Sequence, residues 1–147
     1  MISVVCTGKL PKGISEDLIR SALHRTCLAV HKQSVGAVSV SFISAQRIAA
    51  LNKRWRKHDH ATDVLSFAPA EVPGMKNTEK EWGDLFLNTS VIQREATARS
   101  ITLKEEVLRN VIHGLLHLFG FDHATKKEET AMFGIQERVL QEVLSAV

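Results

Sequence analysis

Residues 103–119 form a segment that is apolar on more than one side of a helix, and this feature strongly constrains the fold. Its apolar positions are Val107, Leu108, Val111, Ile112, Leu115, Leu116 and Leu118. A helix at the surface normally carries a single apolar stripe, whereas a helix that is apolar on several sides is buried. The sequence therefore predicts a central helix with other elements packed around it.

Three histidines follow one another at the end of this segment. His113 and His117 are four residues apart, and His123 comes six residues later, with Gly120 midway between the second and the third. Residues i and i+4 share one helix face, and glycine readily takes the left-handed conformation that ends a helix. Imidazole is a good zinc ligand, and a catalytic zinc commonly has three protein ligands. The spacing therefore predicts one metal site formed by His113, His117 and His123.

The residue after the first histidine separates this segment from the zinc proteases. Their motif, H-E-x-x-H-x-x-G-x-x-H, places a glutamate there as general base, but this chain has Gly114. A closed structural zinc site normally has a fourth protein ligand, whereas Cys6 and Cys27 are isolated from each other and lack paired-cysteine spacing. The pattern favours an open, catalytic metal site without the protease base. A metallopeptidase stays the alternative.

The rest of the chain alternates helical patterns with a few short strands. Helix N-caps are predicted at Ser15, Ser44, Thr89 or Ser90, Thr102 and Thr125, the last two within capping boxes. Extended segments are predicted at 35–43, 62–67 and 83–88, with a polar loop from Pro69 through Lys80. We therefore expect an α+β fold, in which a single domain over residues 1–147 packs a small mixed β-sheet against about five helices.

Composition narrows the functional classes only modestly. The chain has 147 residues, of which 44% are apolar and 24% charged, as in ordinary globular proteins. No apolar run is long enough to span a membrane, and the N-terminus lacks the pattern of a signal peptide. Two cysteines do not make a disulfide framework. We expect a cytoplasmic protein with reduced thiols and no membrane partner. The net charge of +3 supports nucleic-acid binding only weakly.

Three blocks in a fixed order carry a resemblance to a known family. They are the segment 62–67 (TDVLSF) with Arg56 just upstream, the segment 83–85 (GDL), and the histidine segment 113–123. Together they resemble the YbeY family of bacterial and organellar ribosomal RNA maturation factors, over residues 36–144. Two positions depart from the family pattern. Ala61 stands where proline is usual, and Phe121 stands where tyrosine is usual, so we expect a packing role for the Phe121 ring.

The resemblance implies a zinc-dependent hydrolase that acts as a single-strand endoribonuclease, with one zinc ion. It also implies a role in 16S ribosomal RNA 3′-end maturation and in ribosome quality control. The implied partners are single-stranded RNA, including 16S ribosomal RNA, and either the ribosome or small-subunit assembly proteins. A non-catalytic ribosome assembly factor whose metal only holds the fold stays open as a further alternative.

Arg56 and Asp122 are the candidate catalytic residues beside the metal ligands. Arg56 lies in the densest basic cluster, residues 53–60, and a guanidinium can bind phosphate oxygens bidentately. The alternative for Arg56 is a solvated helix end, and the resemblance favours the phosphate role. Asp122 adjoins the third ligand and can orient His123 or a water, or can serve a surface turn.

Other residues near the basic cluster have less specific interpretations. Trp55 can stack on an unpaired base, but its helical spacing with Ile48 and Leu51 favours a place in the core. His58 and His60 can act as metal ligands, yet exposed positions are expected, because three suitable ligands already exist.

Overall fold

The computed structural model describes residues 2–32, 36–69 and 81–146. Its strands are β1 (Ser3–Thr7), β2 (Ala37–Phe42), β3 (Val64–Phe67) and β4 (Glu81–Leu87). Its helices are α1 (Glu16–Ala29), α2 (Ala45–Arg56), α3 (Thr89–Ala98), α4 (Leu103–Leu118) and α5 (Lys126–Ser145). These described elements confirm the predicted α+β class, with a small mixed sheet and helices packed on it.

The sheet has the strand order β1-β2-β4-β3. Strands β1, β2 and β4 run parallel, and β3 is antiparallel to β4. Parallel neighbours need a crossover connection, and α1 supplies it between β1 and β2. Alternate residues of β2 and β4 are buried on one face of the sheet, namely Val38, Val40, Leu85 and Leu87. The main core therefore lies on that face.

Helix α4 is the centre of the fold, as its apolar pattern predicts. It packs against α1, α3 and α5 as well as against β3 and β4. The following α4 side chains have no exposed surface: Val107, Leu108, Val111, Ile112, Leu115 and Leu116. A helix held on all these sides is a rigid support for the histidines at its C-terminal end.

Four of the predicted N-caps are confirmed by hydrogen bonds to the first helical turn. The side chains of Ser15, Ser44, Thr102 and Thr125 each accept a hydrogen bond from the backbone N–H three residues on. Such a bond satisfies one of the N–H groups that have no partner inside the helix. Thr102 therefore sets the start of α4, which carries His113 and His117. Thr125 sets the start of α5, which follows His123.

The prediction that Thr89 or Ser90 caps α3 is wrong. The cap is Asn88, whose side-chain oxygen accepts from the Val91 N–H at 2.9 Å. Its side-chain nitrogen donates to the Ile43 carbonyl at 2.9 Å. Because Asn88 is buried, its amide needs partners inside the protein, and the position before Thr89 supplies partners for both ends of the amide.

The remaining sequence predictions differ from the structure in smaller ways. Strand β1 was not predicted, because the exposed Val5 adjoins the buried Val4 and hides the alternation of burial that the structure shows. The predicted strand 35–43 is observed at Ala37–Phe42, and Val35 lies outside the described residues. Most of the predicted loop from Pro69 to Lys80 also lies outside them. Within the described residues, no helix combines the length and the apolar character needed to cross a membrane.

A second, smaller apolar cluster lies between α2 and β3. It consists of the buried residues Ile48, Leu65 and Phe67, with Trp55 packed against it. The core position favoured for Trp55 by its helical spacing is confirmed. This cluster fixes the C-terminal end of α2, and so the place of Arg56, against the edge strand.

Candidate metal centre and its cleft

The three histidines meet at the C-terminal end of α4. The Nε2 atoms of His113 and His117, one helical turn apart, are 3.0 Å from each other. His123 reaches the same point after the turn that follows the helix. One nitrogen from each ring lies within 4.8 Å of the other two. His113 and His117 are half-buried and His123 is exposed, so the three residues can hold a metal ion at the edge of the core.

The turn that brings in the third histidine depends on Gly120. This residue has a φ of +95°, in the left-handed region. Its N–H donates to the His117 carbonyl at 3.0 Å, and the Phe121 N–H donates to the Leu116 carbonyl at 3.0 Å. This pair of bonds is the Schellman motif. The helix end predicted from Gly120 is confirmed.

Two hydrogen bonds fix the orientation of the helical imidazoles. His117 Nδ1 lies 2.9 Å from the Phe121 carbonyl oxygen, and because a carbonyl can only accept, Nδ1 must be the donor. His113 Nδ1 lies 2.7 Å from Gln136 Oε1. The Gln136 amide nitrogen donates to Glu137, which leaves its oxygen facing the imidazole. Each Nε2 then presents its lone pair, as a metal ligand requires.

Burial favours the same protonation state. Desolvation is the main cause that lowers the pKa of both His113 and His117 below the ordinary value. The positive charge that each imidazole would place beside its histidine neighbours adds to this effect. Neutral imidazole is the form that binds a metal, so burial prepares both side chains for binding at neutral pH.

A chain of ion pairs holds the residues behind the first histidine. Arg109 makes a two-bond contact with Glu137, both bonds 2.9 Å long. Arg109 also donates to the buried Glu106 at 3.1 Å, and Arg99 donates to Glu106 at 2.8 Å. The Arg109 guanidinium holds the pKa of Glu137 below its usual range. Charge-assisted pairs of this kind are rigid, so they fix Gln136, the neighbour of Glu137.

Sequence reasoning missed this network. A signal for Arg109 was available, because it lies one turn before His113 on the same face of α4. Gln136 offered no comparable signal, because it is 23 residues from its histidine partner and reaches it only through the packing of α5 on α4.

Gly114 is buried where the proteases place their general base. A Cβ atom at this position would lie 2.9 Å from Leu85 Cδ2 and 3.1 Å from Ser66 Oγ. The Leu85 and Ser66 side chains of strands β4 and β3 therefore occupy the space that a side chain at position 114 would need. The glycine is explained by packing, and a glutamate does not fit in the same arrangement.

Arg56, the last residue of α2, lines the same cleft as the three histidines. Its Nη2 donates to the Ser66 carbonyl at 2.7 Å. Its guanidinium carbon is 4.5 Å from the centroid of the Phe67 ring. Arg56 is half-buried, so these contacts fix its direction. The structure brings Arg56 and the three histidines together around one cleft of about 800 Å³.

The other predicted residues lie in different surroundings. Asp122 is exposed, and its carboxylate accepts from the His123 N–H at 2.7 Å. That contact lies within the turn, and a surface turn is the second of the two roles expected for Asp122. His58 and His60 are exposed as expected, and His58 lines the cleft without joining the histidine cluster.

A carboxyl pair lines the cleft and was not predicted. Asp63 and Glu95 lie close enough for their carboxyl groups to interact electrostatically, and both line the cleft. Burial raises the pKa of Glu95 to about 7, and the nearby charge of Asp63 adds to this effect. Asp63 also accepts from the Val64 N–H at 2.7 Å. The pair joins α3 to the start of β3.

Comparisons with known proteins identify a family for the chain and agree with the fold. The chain matches the family model described as Endoribonuclease YbeY over residues 7–144. A relative named Endoribonuclease YbeY from Thermus thermophilus is 35% identical over 144 residues, which cover 95% of this chain and 99% of the relative. Another of that name, from a Sulfurihydrogenibium species, is 37% identical over 107 residues, 72% of this chain and 69% of the relative.

A solved structure shows the same likeness. The solution structure of TM1509 from Thermotoga maritima has a TM-score of 0.63 and 29% identity, covering 99% of this chain and 91% of that one. The resemblance drawn from the three sequence blocks is confirmed by these matches. The predicted enzyme class, an endoribonuclease, is the one for which the family and both relatives are named.

Proposed function

The chain belongs to the endoribonuclease YbeY family, and on that premise we propose that it is a zinc-dependent, single-strand endoribonuclease. The observation that supports the proposal is the shared cleft, which is lined both by three histidines that can hold a metal ion and by an arginine. Cleavage of a phosphodiester needs an activated water and a cation that stabilises the phosphoryl oxygens. The cleft offers residues for both tasks.

The cellular role is proposed from the family resemblance. The substrate is 16S ribosomal RNA during maturation of its 3′ end, with a further role in ribosome quality control. The proposed partners are either the ribosome or small-subunit assembly proteins. The metallo-hydrolase domain predicted over residues 1–147 and the cytoplasmic location stay predictions.

The donor set fits one zinc ion. Three imidazole nitrogens close to one another suit zinc, and two of the rings are oriented by hydrogen bonds from their other nitrogen. We propose that His113, His117 and His123 hold this ion. Bound there, zinc would lower the pKa of a water to about 7 and so supply the nucleophile without a neighbouring glutamate.

Arg56 is proposed to bind the scissile phosphate. The Ser66 carbonyl and the Phe67 ring hold the guanidinium at the cleft wall, so little side-chain entropy is lost when a substrate arrives. Its planar fork suits two phosphate oxygens at once. Asp122 is proposed to orient the backbone of His123 through the turn contact, which makes it a positioning residue.

The peptidase alternative lacks its general base. A glutamate in place of Gly114 would overlap the Leu85 and Ser66 side chains, so the protease arrangement does not fit the packing of this site. The other alternative, an assembly factor with a structural metal, shares the histidine site but does not need Arg56 to act on RNA. The peptidase alternative therefore predicts cleavage of peptides. The assembly-factor alternative predicts that a change of Arg56 leaves RNA cleavage unaffected.

The test is cleavage by the zinc-loaded protein of single-stranded RNA, and separately of an unstructured peptide. We expect cleavage of RNA only, and a loss of about 100-fold or more in Arg56→Ala with the metal retained. Arg56→Lys should restore little, because lysine cannot bind bidentately. Arg47→Ala, an exposed arginine in the first turn of the same helix, is the matched control. Unchanged RNA cleavage in Arg56→Ala would overturn the phosphate role, and peptide cleavage would favour the alternative.

A further inference from the structure

Phe133 is an exposed aromatic side chain beside the metal site. Among the described residues, the large apolar side chains left exposed are Val5, Leu28 and Phe133, the last with 37% of its surface accessible. Of these three, Phe133 lines the cleft. Its ring centroid is 6.1 Å from that of His113 and 6.2 Å from that of His123. A partly exposed aromatic ring at this position can contact a molecule that is bound in the cleft.

The place of Phe133 on α5 directs it to the cleft and away from the core. The core side of α5 consists of Met132, Val139, Leu140 and Val143, all buried. Phe133 lies one turn before Gln136, the residue that bonds to the first histidine. The helix face that carries Phe133 is therefore the face that supports the metal site.

We propose that Phe133 is the surface on which one unpaired nucleobase of the RNA stacks, next to the nucleotide that is cut. The inference rests on the proposed function, because it assumes an RNA substrate. Every nucleobase has a π-face, so an aromatic ring can bind single-stranded nucleic acid without reading its sequence. A base and its phosphate are joined through one ribose. A base stacked on Phe133 therefore brings the adjoining phosphate towards the histidines, in the cleft that Arg56 also lines.

Trp55, the other aromatic side chain considered for stacking, has a different environment. It packs against the cluster of Ile48, Leu65 and Phe67, and the Arg54 guanidinium lies 5.0 Å from its ring centroid. Phe133 is thus the better candidate for contact with a base. A competing role for Phe133 is that of a simple cover, which shields the histidine rings from water and contacts no substrate.

The experiment measures kcat and KM of the zinc-loaded full chain on short single-stranded oligoribonucleotides. The variants are Phe133→Ala and Phe133→Trp, with Leu28→Ala as the control, because Leu28 is an exposed apolar residue away from this cleft. Zinc content and thermal unfolding are measured on each preparation. In a second series, an abasic nucleotide is moved along the RNA one position at a time.

We expect Phe133→Ala to raise KM about 5- to 100-fold, while Phe133→Trp and Leu28→Ala stay close to the wild type. At one position the abasic nucleotide should weaken cleavage by the wild type but not by Phe133→Ala. If Phe133 only covers the histidine rings, Phe133→Ala should lose zinc, and the effect of each abasic position should be the same in Phe133→Ala as in the wild type. That result would overturn the inference. So would a KM in Phe133→Ala equal to that of Leu28→Ala. A wild type that cleaves no RNA would contradict the proposed function itself.

Discussion

The Ser66 hydroxyl donates a hydrogen bond to the carbonyl oxygen of Gly114, 3.1 Å away, and so joins strand β3 to helix α4. The Ser66 carbonyl accepts from Arg56 at 2.7 Å. One residue of the edge strand therefore contacts both Arg56 and the helix that carries His113 and His117. The distance between the guanidinium and the histidines depends on how closely β3 approaches α4, and Gly114 permits that approach.

A side chain at position 114 should push these elements apart. Overpacking costs about 1–3 kcal/mol, and the better helix propensity of alanine returns about 1 kcal/mol. We therefore expect Gly114→Ala to lower the free energy of unfolding by about 1 kcal/mol. Gly114→Glu should lower it much further, because the carboxylate would be buried without a partner. Urea denaturation of both variants measures these changes.

Gly134 in α5 provides the matched control. A Cβ atom there would meet nothing within 4 Å, so only the helix propensity changes. Gly134→Ala should stabilise the protein by about 0.5–1 kcal/mol. If Gly114→Ala were as stabilising as Gly134→Ala, close packing would not be the reason for the glycine at position 114.

The site divides into a part that the sequence predicts and a part that it does not. His113, His117 and Gly120 lie within eight residues of each other, so helical spacing and one turn are enough to place them. The bond from Ser66 to Gly114 spans 48 residues and that from His113 to Gln136 spans 23. Such contacts depend on how strands and helices pack, and neither periodicity nor capping rules contain that information.

The same limit applies to the fold. The central helix and four N-caps follow from local patterns, and they are confirmed. The predicted N-cap of α3 was wrong because three residues that can each cap a helix are consecutive in the sequence, namely Asn88, Thr89 and Ser90. The choice among them is made by the Ile43 carbonyl, which bonds to Asn88 across 45 residues.

Gln136→Leu should weaken zinc binding while the fold is retained. It removes the acceptor of the His113 Nδ1–H, and loss of such a partner typically costs about 10- to 100-fold in metal affinity. Competition with a chelator measures the dissociation constant. Gln141→Leu, on an exposed position of the same helix, should leave it unchanged. Equal affinities in the two variants would show that the imidazole does not need this bond.

Gly120→Ala should affect both stability and the metal. Its φ of +95° is unfavourable for alanine, at a cost of about 1–2 kcal/mol. The change also disturbs the turn that supplies the Phe121 carbonyl to His117. Gly13, with a φ of +85° and open space around it, is the control. Gly13→Ala should lose similar stability in urea and keep its zinc affinity. If Gly13→Ala lost as much zinc affinity as Gly120→Ala, the role of the turn in metal binding would be contradicted.

Glu95 should make the apoprotein less stable as pH rises. Its pKa is raised from 4.5 to about 7 in the folded state, mainly by burial. Between these values the folded state binds more protons than the unfolded state, so the free energy of unfolding falls with increasing pH. In Glu95→Gln this contribution is absent.

The measurement is urea unfolding of the chelator-treated protein at several pH values across that window. The wild type and the variant differ only at this side chain, so the difference in stability between them reports on Glu95. We expect Glu95→Gln to gain stability relative to the wild type as pH rises, and then to keep that gain above the window. A difference that stays constant from acid to neutral pH would mean that Glu95 has no raised pKa.

Elemental analysis of the purified chain tests the metal centre most directly. The wild type and His60→Ala, whose ring lies outside the histidine cluster, should each contain about one zinc per chain. His113→Ala, His117→Ala and His123→Ala should each lose most of it, since three ligands are the fewest that commonly hold a catalytic zinc. Unchanged zinc content in all three variants would contradict the account.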